Sequence, residues 1–192
     1  MYYHRRNLPH FYPPRARLFL TWRLFGTLPR TATMDPNAGR AFVQNAGRAF
    51  VESDRTLDRV NSGPVWLRDP RIATIIAKNL QQGASQYRLY DLFAWVIMPN
   101  HVHLVFEPFR ELPAITRWIK GSTARAANLV LGRTGKPFWQ YESYDRCVRN
   151  DAELSRVIRY VEQNPVTAGL VGSIEDWPWS SAGCRAGLRP AG

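Results

Sequence analysis

Four histidines are spread along a chain of 192 residues, and two of them stand together as His101-Val102-His103. On a β-strand alternate side chains share a face, so both imidazoles would project to one side while Val102 enters the core. Two neutral imidazoles side by side form half of a metal site. The same spacing also suits a pair of solvent-facing histidines on a strand, and from spacing alone both readings stay open.

Other chemistries built on His-x-His fail by inspection. A histidine-triad nucleotide hydrolase needs a third histidine two residues on, where this chain has Val105. A dinuclear metallo-β-lactamase-type site continues with Asp and His, whereas Leu104, Val105 and Phe106 follow here. A two-histidine phosphoesterase needs a second copy with Ser or Thr after each His, and only His4 and His10 remain, near the N-terminus.

A third ligand must come from elsewhere, and Asp151 to Asn164 (DAELSRVIRYVEQN) supplies a candidate. Leu154, Val157, Ile158 and Val161 recur at helical spacing as an apolar face. Tyr160 and Asn164 are four apart and stack on the border of that face. There Tyr160 can present a nucleophilic hydroxyl and Asn164 a carbonyl oxygen. Equally, Tyr160 can be a half-buried packing residue and Asn164 a helix-end residue before Pro165.

The elements that must position these groups follow from pattern. Residues 1–16, rich in Arg, His, Tyr and Pro, read as a basic extended arm. Arg17 to Thr27 (RLFLTWRLFGT) has strand composition. Asp35-Pro36 predicts an N-cap and first turn of a helix reaching about Val60. Within it the octapeptide Asn37 to Gln44 (NAGRAFVQ) recurs as Asn45 to Glu52 (NAGRAFVE). Eight residues overshoot two turns, so the apolar stripe drifts by about 80° between copies, as befits a tolerated duplication on an outer helix. Asp69-Pro70 repeats the helix-start signal for a helix ending at Gly83. Tyr87 to Met98 and His101 to Phe106 form a hairpin across Met98-Pro-Asn. A helix follows over about Pro113 to Leu131, then a strand within Phe138 to Val148. Asn150-Asp-Ala-Glu153 is a capping box opening the last helix, which Pro165 closes. This order suits an α+β ferredoxin-like antiparallel sheet with helices packed on one face. A single domain is expected over 17–183, with 184–192 as a tail.

Lys and Arg total 26 against 15 Asp and Glu, a net charge of +11. Such an excess points to a polyanionic partner, most often nucleic acid. Two cysteines make no disulfide framework. No run approaches the ~18 apolar residues of a membrane span, and the N-terminal basic residues have no apolar core behind them, so neither membrane nor secretion is expected. A cytoplasmic, nucleoid-associated protein is.

Met98-Pro-Asn-His-Val-His-Leu-Val-Phe106 resembles the HUH motif of single-tyrosine transposases, in which two histidines flank a large apolar residue. Trp118-Ile-Lys-Gly121, Phe138-Trp-Gln140, Tyr144-Asp-Arg146 with Arg149, Arg159-Tyr-Val-Glu-Gln-Asn-Pro-Val166 and Ala168-Gly-Leu-Val171 follow in the same order. They are similar to those of the REP-associated tyrosine transposases, and the resemblance covers about residues 17–182. It implies a ferredoxin-like fold and a prokaryotic source. It also implies Mg²⁺ or Mn²⁺ held by His101 and His103, a catalytic Tyr160, and Asn164 completing the metal shell. The implied substrate is single-stranded DNA next to a hairpin of REP-like palindromic type, cut through a 5′-phosphotyrosine intermediate by a monomer or a homodimer. Within this reading Lys120, Arg146, Arg149 and Arg159, with Arg5 and Arg6 of the arm, are candidates to neutralise phosphates. Trp139, Tyr141 and Tyr144 are candidates to stack unpaired bases. The alternative is a DNA-binding protein that recognises palindromic repeats without transposing them. A replication-initiator nuclease fits less well, since 192 residues hold no helicase segment.

Overall fold

A computed structural model describes residues 12–13, 15–27 and 63–187. The duplicated octapeptide, the helix expected over 35–60, and Arg5 and Arg6 lie outside the described residues. Four strands form one antiparallel sheet: β1 (Arg17–Arg23), β2 (Tyr90–Ile97), β3 (His101–Pro108) and β4 (Tyr144–Val148), in spatial order β2-β3-β1-β4. Helix α1 (Pro70–Ser85) links β1 to β2, and α2 (Leu112–Val130) links β3 to β4. The result is the expected ferredoxin-like β-α-β-β-α-β arrangement. Helix α3 (Asp151–Thr167) and the short α4 (Ser181–Arg185) follow. Among the described residues no helix is long and apolar enough to cross a membrane.

Local chemistry explains most boundaries. The Asp69 carboxylate accepts from Arg71 N at 2.9 Å, which caps α1 ahead of Pro70. The Asn150 side chain accepts from Glu153 N at 2.8 Å at the start of α3. Glu153 reaches back to Arg149 N at 2.9 Å, one residue before the cap. Two expected stops do not stop. Gly83 lies inside α1, where a Cβ would sit 2.3 Å from the Tyr90 hydroxyl, so glycine is there for close packing. Pro165 lies inside α3 and is buried. It removes one backbone donor, yet Ala168 N still bonds Asn164 O at 2.9 Å and Leu170 N bonds Pro165 O at 2.9 Å. The terminator is Gly169, whose φ of 69° turns the chain out of the helix.

Helices cover both faces of the sheet, which corrects the expectation of one covered face. Leu18, Leu20, Trp22, Leu24, Val102, Leu104 and Phe106 point toward α1 and α2. The alternate residues Phe19, Val96, Val105 and Val148 pack under Val157 and Val161 of α3. Five consecutive residues of β1 and six of β3 are buried, so neither strand has a face that water can hold. A bulge between Leu92 and Ala94 resets the alternation of β2, giving Trp95 and Ile97 to the first face and Ala94 and Val96 to the second.

Behind α3 the chain returns to the outer edge of β2. Ile97 N bonds Trp179 O at 2.9 Å, Trp177 Nε1 donates to Ile97 O at 3.0 Å, and Trp95 N donates to Ser181 Oγ at 3.2 Å. Helix α4 runs past the expected domain end at residue 183. There Arg185 donates to Glu162 of α3 at 2.5 Å, and Ser181 Oγ donates to the same carboxylate at 2.7 Å.

Candidate active site

Strand alternation places Phe19, Thr21 and Arg23 of β1 on the same face as His101, His103 and Val105 of β3. The register sets Thr21 opposite His103 and Arg23 opposite His101. Both histidines are fully buried beneath α3, so the solvent-facing reading of the pair is excluded. Each imidazole is held through Nδ1. His101 Nδ1 lies 2.7 Å from Asn100 Oδ1, and His103 Nδ1 lies 2.7 Å from Thr21 Oγ1. The two Nε2 atoms then face each other at 3.1 Å.

This geometry has two electrostatically sound states. An amide oxygen only accepts, so His101 carries its proton on Nδ1 and offers an Nε2 lone pair. If the Thr21 hydroxyl donates to His103 Nδ1, His103 Nε2–H donates to His101 Nε2 and the pair satisfies itself. If Thr21 accepts instead, both Nε2 lone pairs converge, and they can be met by the Asn164 amide or by a cation between them. The spacing fits such a cation. Two cis ligands about 2.1 Å from a metal lie about 3 Å apart. Among the described residues no group of three or more His, Cys, Asp and Glu could hold a metal, so a further ligand from these residues would be of another type.

Helix α3 offers a candidate. Asn164 is buried, with its amide Nδ2 3.2 Å from His103 Nε2. A half-turn of the amide would bring Oδ1, a hard oxygen ligand, to the same place. One turn earlier, the half-buried Tyr160 ring lies 6.0 Å from the His103 ring and edge-on to Phe19 at 6.3 Å. Phe19 also stacks on His103 at 5.5 Å. His101, His103, Tyr160 and Asn164, from two elements some 60 residues apart in sequence, thus converge on one spot.

The candidate DNA contacts among the described residues converge only in part. Trp139 is buried, donates Nε1 to Thr123 Oγ1 at 2.9 Å and packs edge-on to Trp22 and Phe138. A base cannot stack on it, which corrects that expectation. Lys120 donates to Tyr141 O at 2.8 Å and Ser143 Oγ at 2.9 Å, tying α2 to the loop before β4. Arg146 is ion-paired with Glu153 and lies over the Phe19 ring. Arg149 and Arg159 are exposed. Tyr144 sits on the site face across from Thr21, and burial raises the pKa of its hydroxyl. The sequence reading missed Thr21, Asn100 and Arg23. Their signal was available: Thr21 and Arg23 are polar residues two apart in an otherwise apolar strand.

Residues 66–164 match the family described as Transposase IS200 like, a span covering just over half of the chain that includes both histidines and Tyr160 and ends on Asn164. A REP-associated tyrosine transposase of Escherichia coli is 30% identical over 97 residues, covering 49% of this chain and 55% of that protein. A putative REP-associated tyrosine transposase of Haemophilus influenzae is 26% identical over 103 residues, covering 48% and 58%. The chain thus matches little more than half the length of these curated relatives. A solved REP-associated tyrosine transposase bound to a REP hairpin shares the fold, with a TM-score of 0.53 at 21% identity over all of this chain and 92% of that one. With the family match reaching across the paired histidines and the helix above them, this chain belongs to the IS200-like transposases, a family of enzymes.

Proposed function

We propose that this chain is a divalent-metal-dependent enzyme that cuts and rejoins single-stranded DNA beside a hairpin. Tyr160 is the nucleophile, and His101, His103 and Asn164 hold Mg²⁺ or Mn²⁺. The observation that carries the reading is the convergence of two Nε2 atoms 3.1 Å apart with a tyrosine and an amide presented one turn apart on a single helix. The hairpin substrate rests on the relative solved with a REP hairpin. A positive charge of +11 suits the same partner. A nucleoid-associated, cytoplasmic location follows from that substrate.

A free tyrosine, with a pKa of about 10, is a poor nucleophile at neutral pH. A bound cation supplies Lewis acidity to a non-bridging phosphate oxygen and offsets the charge that builds up there. The chain's own residues do the rest. Tyr160 Oη gives up its proton and forms a bond to phosphorus as the bond to the 3′-oxygen breaks, and the 3′-oxygen takes up a proton and leaves as a hydroxyl. The phosphotyrosine conserves the bond energy, so a 3′-hydroxyl can reverse the step and join strands. Helix α3 fixes Tyr160 and Asn164 at one spacing, and burial beneath it keeps competing water from the histidines.

Incubation with Mn²⁺ and labelled single-stranded hairpins from the source genome, followed by a denaturing gel, tests this directly. Wild type forms a covalent protein–DNA band. Tyr160→Phe binds with near-normal affinity and forms none, since the change removes one oxygen and keeps the ring; Tyr144→Phe still forms it. Adduct formation by Tyr160→Phe would overturn the nucleophile, and binding without any adduct by wild type would leave a repeat-binding protein. Affinity should also fall by about 0.7 log units per phosphate contact for each log unit of salt.

A further inference from the structure

Five arginines among the described residues meet acids, while Arg133 lies over the Trp66 ring. Arg15 pairs with Glu107, Arg17 with Asp151, Arg71 with Asp69, Arg146 with Glu153 and Arg185 with Glu162. Arg23 does not. It is half-buried on the α3 face of the sheet, directly opposite His101 in the β1–β3 register. Among the described residues no carboxylate pairs with it. Its side chain donates through Nη1 to Thr27 Oγ1 at 3.1 Å, and the Thr27 hydroxyl in turn donates to Leu24 O at 3.0 Å. A neutral hydroxyl anchored to the backbone orients a guanidinium without neutralising it. Burial already lowers the Arg23 pKa, a sign of a cation partly stripped of water.

Placing a cation there costs free energy unless an anion meets it. One N–H of the fork is used on Thr27, and the remaining donors suit two oxygens of one phosphate. Directly opposed residues of an antiparallel pair have Cβ atoms about 5 Å apart, so the Arg23 side chain leaves the sheet next to that of His101. We propose that Arg23 is a phosphate clamp that grips the DNA phosphodiester seated at the His101 end of the site. The clamp rests on the enzymatic reading above and adds to it a residue outside the metal-and-tyrosine set. It holds substrate oxygens through the Arg23 fork, with Thr27 as the prop that aims it.

The test separates the clamp from the chemistry. Hairpin oligonucleotides carrying a single neutral methylphosphonate at successive flanking positions are bound, in EDTA, to wild type, Arg23→Gln and Arg23→Lys. The clamp predicts that Arg23→Gln weakens binding about tenfold and that this loss vanishes when one particular phosphate is neutral. Arg23→Lys retains part of the affinity, being a charge without a fork. Equal losses at every position, or no loss, would overturn the proposal. Melting curves establish that each variant is folded, and Arg23→Lys serves as the probe if Arg23→Gln is not. With Mn²⁺, single-turnover cleavage by Arg23→Gln should slow about a hundredfold. If wild type forms no adduct while the coupling persists, the enzymatic reading fails and the clamp stands; an adduct without coupling gives the reverse.

Discussion

The two faces of the sheet are built from the same strands, yet they solve opposite problems. Toward α1 and α2, Trp22, Leu104, Phe106 and Tyr90 fill a nearly dry interior, where the Tyr90 hydroxyl meets Leu80 O at 2.8 Å and Trp139 meets Thr123. Toward α3, valines alternate with His101, His103, Thr21 and Asn164, all buried. The first face, those two bonds aside, needs shape and volume, which many apolar side chains can supply. The second needs each polar atom aimed at another, since a buried group left unsatisfied costs about 1–3 kcal/mol. The apolar face sets the stability, and the polar face draws on it.

That division can be broken in order of expected effect. His101→Ala or His103→Ala should reduce Mn²⁺-dependent adduct formation to background while the protein still melts cooperatively; full adduct formation by either would show that the polar face is not a metal site. Phe106→Ala, on the other face, should cost about 3–5 kcal/mol, roughly 10 °C in melting temperature for a chain of this size. The folded fraction at low temperature should still form the adduct. Thr21→Val removes the oxygen that fixes His103 Nδ1 and keeps the volume. Loss of such a partner should weaken metal affinity or activity about 10–100-fold, read by Mn²⁺ titration, and lower the melting temperature by only a few degrees.

The smallest effect lies at the start of α3. Burial pushes the Glu153 carboxyl upward, but the Arg149 N–H and the Arg146 guanidinium outweigh it, and its pKa lies below the usual value. A depressed folded pKa gives stability that is present above the unfolded value of about 4.3. It is lost as pH falls through the folded value. Wild type should therefore lose about 2 °C more than Glu153→Gln on acidification from pH 6 to below 4. An equal loss would mean that the Glu153 charge does not stabilise the native helix start.

Sequence made the local devices legible. Parity put His101 and His103 on one side, spacing put Tyr160 above Asn164, and Asp69 and Asn150 announced their helices. The missing pieces depend on register and layer, which no local pattern encodes. Thr21 and Arg23 join the site because β1 pairs with β3 in one register. Trp139 shares aromatic composition with any base-stacking residue, and only its position against Trp22 and Thr123 assigns it to the core. Gly83 and Pro165 read as stops because local propensity ignores what tertiary packing can override: Tyr90 needs the space at Gly83, and a buried Pro165 is worth one lost hydrogen bond.

The strand that carries Trp95 and Ile97 is an edge of the sheet, and edges invite a second chain. Its outward N–H and C=O groups are taken by Trp177, Trp179 and Ser181, and Ser180 bridges Val96. The returning segment is an irregular cap rather than a fifth strand, so it presents no new ladder outward. The molecule thereby keeps strand-to-strand polymerisation blocked at its most apolar margin, and colloidal behaviour, as much as chemistry, depends on those few residues after α3.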